Sequence, residues 1–457
     1  MITTVLAFIS TLAVLIVVHE YGHYRVAVAC GVKVLRFSVG FGRVLWRRQR
    51  DADSTEFVLC LLPLGGYVRM LDEREDAVAP ELLAHAFNRR PLWQRAAVVS
   101  AGPLANLLLA VLLFAAAQWI GVSEPKAVLG APTADSLAER AGLRAGDWVR
   151  ALSRDGIAWQ DLQSMTELRW ELTQSALRGE ALQLSVSDRA GHGPRSVRLD
   201  LDRLANRDVD AAALKEIGIG AAYSEPPLGE VQAGGPAAGA GLRAGDRVLR
   251  VDEQDVPDAQ FLRERIRASV RDKAGLAMHW EIEREGQRRT IEITPRVIAD
   301  SAGSDIGRID AYVGQPPAMV TVRHGPVEGL RRGVSRTWEV SALSLRMLGR
   351  MLTGEASLKN LSGPLTIADY AGQSVNQGLA YYLGFLALVS VSLGVLNLLP
   401  LPMLDGGHLM YYIFEAVTGR PVSDLWLARL QRGGMAILLL MMSVALFNDV
   451  ARLMGQH

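Results

Sequence analysis

VVHEYGHYR, residues 17–25, closes an uncharged apolar run, ITTVLAFISTLAVLIVV at 2–18. Histidines four residues apart on a helix share a face, with Cβ atoms about 6 Å apart, so His19 and His23 can reach one metal ion. Glu20, beside the first histidine, is placed to take a proton from a water on that metal. At about 1.5 Å per residue, His19 lies roughly 25 Å along a helix that starts near Ile2. That is within membrane depth, where ionisable groups are expensive and mark function.

The remaining sequence agrees with a membrane protein. Its 457 residues are 49% hydrophobic, with a mean hydropathy of +0.15. Three further apolar stretches stand at 97–120, 379–401 and 433–447. The last is short against the roughly 20 helical residues that a bilayer core needs, and spans only if its flanks join it. Lys and Arg (49) nearly balance Asp and Glu (48), which gives no ground for a nucleic-acid partner. Cys30 and Cys60 are too few for a disulfide framework.

Arg25, Lys33, Arg36, Arg43, Arg47, Arg48, Arg50, Arg89, Arg90 and Arg95 crowd the segment between the first two apolar stretches. The positive-inside rule puts that segment in the cytoplasm and residues 122 to about 375 outside, with His19 in the cytoplasmic half of the membrane. A cleaved signal peptide is the alternative for the first stretch, with AVAC at 27–30 as a small-residue site. The missing basic n-region and the intervening HEYGHYR block favour a retained helix.

A catalytic zinc takes three protein ligands and leaves one position open. NLLPLPMLDGGH at 397–408 offers the third. Asp405 stands at the inner end of the third apolar stretch, which runs outside to inside like the first, so the depths match. LDGG also reads as a turn leaving the membrane, and His408 is a rival ligand. A different reading is a membrane-anchored scaffold with a closed structural zinc; this needs a fourth ligand, for which Cys30 stands seven residues beyond His23. Glu20 has no task in such a site.

AGLRAGD occurs at 141–147 and again at 240–246, each copy after a short helical stretch and before a β-like run. The spacing of about one domain length predicts two copies of one fold. Val327, Leu330, Val334, Trp338 and Ser341 recur at helical spacing, which predicts an amphipathic helix. It can lie on the outer membrane surface or pack on the duplicated pair. FVLCLLPLGGYVRML at 57–71 is too short to span and reads as an apolar hairpin turning at Gly-Gly.

HEYGHY, FSVGFG at 37–42, LPLGGYVRM at 62–70, FNRRPLWQRAAVVSAGPLAN at 87–106, NLSGPLTIA at 360–368 and NLLPLPMLDGGH together resemble the site-2 protease family of intramembrane zinc metalloproteases, in its bacterial regulator-of-sigma-E branch. The resemblance implies His19, His23 and Asp405 as ligands of one zinc per chain, Glu20 as general base and Asn397 as a substrate-holding residue. It implies that the hairpin dips into the membrane beside the site, with its edge at Gly65, Gly66 and Tyr67 pairing with a substrate strand. A helix followed by Gly-Leu-x-x-Gly-Asp resembles PDZ domains. The expected fold is therefore a polytopic α-helical membrane protein, with four transmembrane helices, a membrane-associated β-hairpin and two tandem PDZ domains between helices 2 and 3.

The expected parts are 1–121, helices 1 and 2 with the hairpin; 122–221 and 222–310, the PDZ domains; 311–375, an amphipathic juxtamembrane linker; and 376–457, helices 3 and 4. By resemblance the substrate is the transmembrane segment of an anti-sigma factor already trimmed outside, with remnant signal peptides as a second class. Membrane lipids and a PDZ peptide ligand are further expected partners, and the PDZ pair acts as a size filter or as a peptide binder. The expected location is the bacterial inner membrane, with periplasmic PDZ domains and the active site toward the cytoplasm.

Overall fold

A computed structural model describes residues 2–51, 53–75, 77–202, 216–300, 304–353 and 363–453. The chain forms two compact units, Met1–Val122 with Arg323–His457, and Ser123–Val322. Four helices are long and apolar enough to cross a membrane: Ile2–Ala29, Leu92–Ile120, Leu379–Asn397 and Leu425–Val450. The run at 433–447 is thus extended by both flanks into a full-length helix.

In the first unit, α1 (Ile2–Ala29) meets α2 (Leu92–Ile120) through small residues. A Cβ on Gly22 would lie 2.5 Å from the Ala101 carbonyl oxygen and 2.8 Å from the Ala105 Cβ. Between these helices run β1 (Val34–Arg48) and β2 (Glu56–Met70), paired antiparallel. Arg36–Val39 is paired on both sides, with Gly66–Arg69 and with Glu56–Leu59. Gly65-Gly66 is therefore not the hairpin turn that its sequence signals; it lies inside β2. Glycine is there for close approach, since a Cβ on Gly66 would lie 2.8 Å from the Glu20 Cγ and 2.8 Å from the Ser38 carbonyl oxygen.

The second unit enters on β3 (Val122–Pro125) and holds two copies of one arrangement. The first copy contains α3 (Leu137–Arg140), β4 (Trp148–Ser153), β5 (Gln160–Asp161), α4 (Met165–Arg178), β6 (Leu182–Ser187) and β7 (Arg195–Leu199), in sheet order β5-β4-β6-β7. The second copy begins with β8 (Leu228–Val231), α5 (Pro236–Gly239), β9 (Arg247–Val251), β10 (Gln254–Asp255) and α6 (Ala259–Ala268). Next come a short pair, β11 (Val270–Arg271) and β12 (Ala274–Gly275), then β13 (Met278–Arg284) and β14 (Gln287–Ile293), giving the sheet order β10-β9-β13-β14. A hairpin of β15 (Arg296–Ala299) and β16 (Asp305–Arg308) follows, then β17 (Ala311–Val313), which pairs with β8, and β18 (Met319–Val322), which pairs with β3. Residues 311–322 are thus strands of this unit and not linker, because β8 and β3 would otherwise lack partners.

Each copy has its own core, one around Leu152, Leu168, Leu184 and Leu199, the other around Val251, Leu262, Trp280 and Ile282. The repeated Asp explains the repeated motif. Asp147 accepts from the Arg144 N–H at 2.8 Å and from Arg195 at 2.6 Å, while Arg195 also donates to the Gly142 carbonyl. Asp246 accepts from the Arg243 N–H at 2.8 Å and from Arg284 at 2.6 Å, while Arg284 also donates to the Gly241 carbonyl.

Back in the first unit, α7 (Pro326–Leu352) is amphipathic as expected and packs on α2. Its buried positions are Gly329, Gly333, Thr337 and Val340, whereas the apolar stripe at Val327, Leu330, Val334 and Trp338 is exposed. Small residues admit the neighbouring backbone; a Cβ on Gly333 would lie 2.6 Å from the Val111 carbonyl oxygen. The chain continues through α8 (Pro364–Gln377), α9 (Leu379–Asn397), α10 (Asp405–Thr418) and α11 (Asp424–Leu453). Asp449 on α11 accepts from the backbone N–H groups of Gly363, Leu365 and Thr366 and caps α8. The NLS of NLSGPLTIA lies outside the described residues.

Asp246 is 1% exposed. Burial pushes its carboxyl up, but Arg284 and the Arg243 N–H hold it below the usual carboxylate range. Removing one partner of a buried pair costs about 3–5 kcal/mol, so Asp246→Ala is expected to lower hydrogen-exchange protection of β9 and β13 in the intact protein by that amount. Because the folded value is depressed, the difference from wild type is full above pH of about 4 and fades as pH falls through the folded value.

Candidate active site

The HEYGH block folds within α1, which puts His19 and His23 one turn apart on one face. Asp405 opens α10. Its Oδ2 lies 3.3 Å from His19 Nε2 and 3.6 Å from His23 Nε2, and the two imidazole nitrogens are 3.2 Å apart. Among the described residues these are the one group of three His, Cys, Asp or Glu side chains close enough to share a metal.

The turn before Asp405 explains its sequence. Cβ atoms on Gly406 and Gly407 would lie 2.2 Å from the Leu399 carbonyl oxygen and 2.4 Å from that of Leu401, so the chain folds back on itself too tightly for a side chain. Met403 has φ +85°, strain of a kind found at functional sites. His408 stands one turn further on, edge-on to Tyr411 at 5.9 Å, outside the donor group. Asn397 ends α9, on the other side of this turn from Asp405, and is half-buried.

Glu20 is half-buried and faces β2, its Cγ against Gly66. Tyr67 stacks on Phe41 with ring centroids 6.0 Å apart, and the Phe41 ring also covers Gly65. Gly65, Gly66 and Tyr67 therefore form a strand segment running beside the glutamate.

The sequence profile of Peptidase family M50 matches residues 7–441. The chain belongs to that family, the site-2 proteases. The regulator of sigma E protease of Salmonella typhi is 41% identical over 452 residues, covering 98% of both chains. The regulator of sigma-E protease RseP of Escherichia coli K12 is 40% identical over 457 residues, again covering 98% of both. A Ralstonia nicotianae protein provisionally named a zinc metalloprotease is 43% identical over 464 residues, covering 99% of both. With four helices of membrane-spanning length, this M50 chain is an integral membrane metalloprotease.

The donor set fits zinc. A tetrahedral ion with bonds of about 2.0–2.1 Å has ligand–ligand edges of about 3.3 Å, and the three edges here are 3.2, 3.3 and 3.6 Å. No fourth protein donor joins them among the described residues. Cys30 packs instead with Ala27, Val32, Val34 and Val98, which removes support from a closed structural site. His23 Nδ1 donates to the Val98 carbonyl at 2.8 Å and so turns Nε2 toward the group.

Two features were quoted in the sequence but given no role. Gly102 makes room for the two imidazoles: a Cβ there would lie 2.2 Å from His23 Nε2 and 2.8 Å from His19 Cε1. Asn106 lies against His19. The available signal was a Gly-Pro pair and an amide inside an apolar stretch, where polar groups and helix breakers need a reason. Gly102→Ala is expected to reduce bound zinc at least 10-fold, the lower bound for disturbed ligand orientation, measured by elemental analysis of purified folded protein.

Proposed function

We propose that this M50 peptidase cleaves the transmembrane segment of an anti-sigma factor whose outer domain has already been removed, in an envelope-stress pathway of the inner membrane. Remnant signal peptides are a second substrate class. The observation that carries the reading is the meeting of His19, His23 and Asp405 beside Glu20, on helices of membrane-spanning length. The names of the Salmonella and Escherichia relatives support the pathway.

In this reading His19, His23 and Asp405 hold one zinc per chain. Bound there, zinc supplies a Lewis acid and lowers the pKa of its water to about 7. Glu20 takes a proton from the attacking water and delivers it to the departing amine. A membrane helix hides its peptide groups in its own hydrogen bonds, so the substrate must first unwind. The Gly65–Tyr67 edge of β2, next to Glu20, receives the unwound segment as an added strand, with Asn397 helping to hold it. Glycine at 65 and 66 lets a second backbone approach.

The basic segment between α1 and α2 faces the cytoplasm, which puts the active site toward that side and the inserted repeats in the periplasm. The repeats are tandem PDZ domains that screen out substrates with a bulky outer domain. The exposed stripe at Val327, Leu330, Val334 and Trp338 meets lipid.

Glu20→Gln is expected to keep about one zinc per chain and to lose cleavage of a pre-trimmed transmembrane substrate by about 10²–10⁴-fold. Zinc-loaded wild type that cleaves none of several membrane substrates would overturn the reading. A second test removes the filter. Because β3 and β18 pair where the insert begins and ends, residues 123–322 can be replaced by a short linker. The shortened protein is expected to cleave untrimmed substrate; continued strict dependence on trimming counts against the filter.

A further inference from the structure

We infer that Asn106 is a positioning residue for the metal site: its side-chain carbonyl accepts the Nδ1 proton of His19 and so fixes the tautomer that presents Nε2 to the ion. The inference rests on the zinc reading of the site. His19 Nε2 is the nitrogen that faces His23 and Asp405. A metal-binding imidazole is neutral, so the proton must sit on Nδ1, and a buried N–H needs an acceptor. For His23 that acceptor is the Val98 carbonyl of α2. For His19 the neighbouring group is the Asn106 amide, 3.4 Å from Nδ1.

Asn106 is 1% exposed, and its Oδ1 has no hydrogen-bond partner among the described residues while Nδ2 faces the ring. Two donors facing each other gain nothing. The two amide ends are nearly isosteric, and exchanging them brings Oδ1 to the ring with no other movement. The exchange turns a donor–donor contact into a hydrogen bond and leaves Nδ2 as the end that lacks a protein partner. The residue is held in place by its own main chain, whose carbonyl accepts from Ser390 Oγ at 2.7 Å on α9. Ser390 is fully buried. Both histidines are thereby oriented from α2, one by a main-chain carbonyl and one by a side chain.

Loss of such an outer partner typically costs 10–100-fold in metal affinity. The test is chelator competition for zinc on purified full-length Asn106→Leu, Asn106→Asp and native protein, with thermal unfolding of the zinc-stripped forms run alongside. Leu matches the volume and removes both polar ends; Asp keeps an acceptor. The expected result is zinc affinity 10–100-fold weaker in N106L and within about 3-fold of native in N106D. A packing role alone would lower the melting temperature of stripped N106L and leave the affinity of its folded fraction at the native value, which overturns the inference. Should N106L fail to fold, N106D decides the matter: native-like affinity supports the acceptor role, and a loss of 10-fold or more overturns it. Native protein that binds no zinc would sink the metal reading itself, a separate outcome.

Discussion

The donor atoms of His19, His23 and Asp405 stand 3.2–3.6 Å apart, while helices ordinarily pack about 8–10 Å apart. That constraint organises the membrane unit. α2 is the common partner, and one short stretch of it, Ala101–Leu107, is approached through glycine from both sides. Gly22 of α1 rests on Ala101 and Ala105, and Gly394 of α9 rests on Leu107 and the Pro103 carbonyl. Gly102, between these contacts, faces the histidines. Without side chains at these points, the helix carrying His19 and His23 and the helix leading to Asp405 can both close on α2.

Departures from regular helix are concentrated near the same place. Pro103 has no N–H to give, and the chain from Leu398 to Leu404 makes a tight turn with Pro400 and Pro402. Unsatisfied backbone at membrane depth survives only where protein or a wet cavity receives it. Here the Leu399 and Leu401 carbonyls are packed against Gly406 and Gly407, and the Pro402 carbonyl against Gly434 of α11. The LDGG turn is thus held on two sides, which a mobile ligand loop would not be. Arg95 and Glu415, paired at 2.6 Å, tie the start of α2 to α10, the helix that Asp405 opens.

Much of this was legible in the sequence because it is periodic or covalently local. The 19–23 spacing, the four apolar runs and the duplicated AGLRAGD need only chain geometry to be read. Asp405 is readable from depth as well as from resemblance. What misled was glycine. At 65–66 it signals a turn, yet Gly66 answers to the Glu20 side chain, more than forty positions away, and Gly65 to the Phe41 ring. On α7 the apolar stripe at Val327, Leu330, Val334 and Trp338 stays exposed, while contact with α2 runs through Gly329, Gly333, Thr337 and Val340. In lipid, shape governs helix association more than hydrophobicity does, so hydropathy alone does not mark this contact.

The boundary expected at 310 followed the length of the repeat, but strand pairing moves it to Val322. β17 completes the second repeat, and β18 returns to β3, so the inserted unit begins and ends on adjacent strands. The membrane unit closes across the same seam by itself. The His324 N–H donates to the Gln118 carbonyl at 3.1 Å, and Trp119 Nε1 donates to the Pro326 carbonyl at 3.2 Å. α7 then runs back along α2 from Trp119 toward Ala110. A host whose own hydrogen bonds span the insertion point does not depend on the insert for its fold. Duplication or loss of inserted domains at such a seam leaves the Ala101–Leu107 turn of α2, against which the histidines stand, undisturbed.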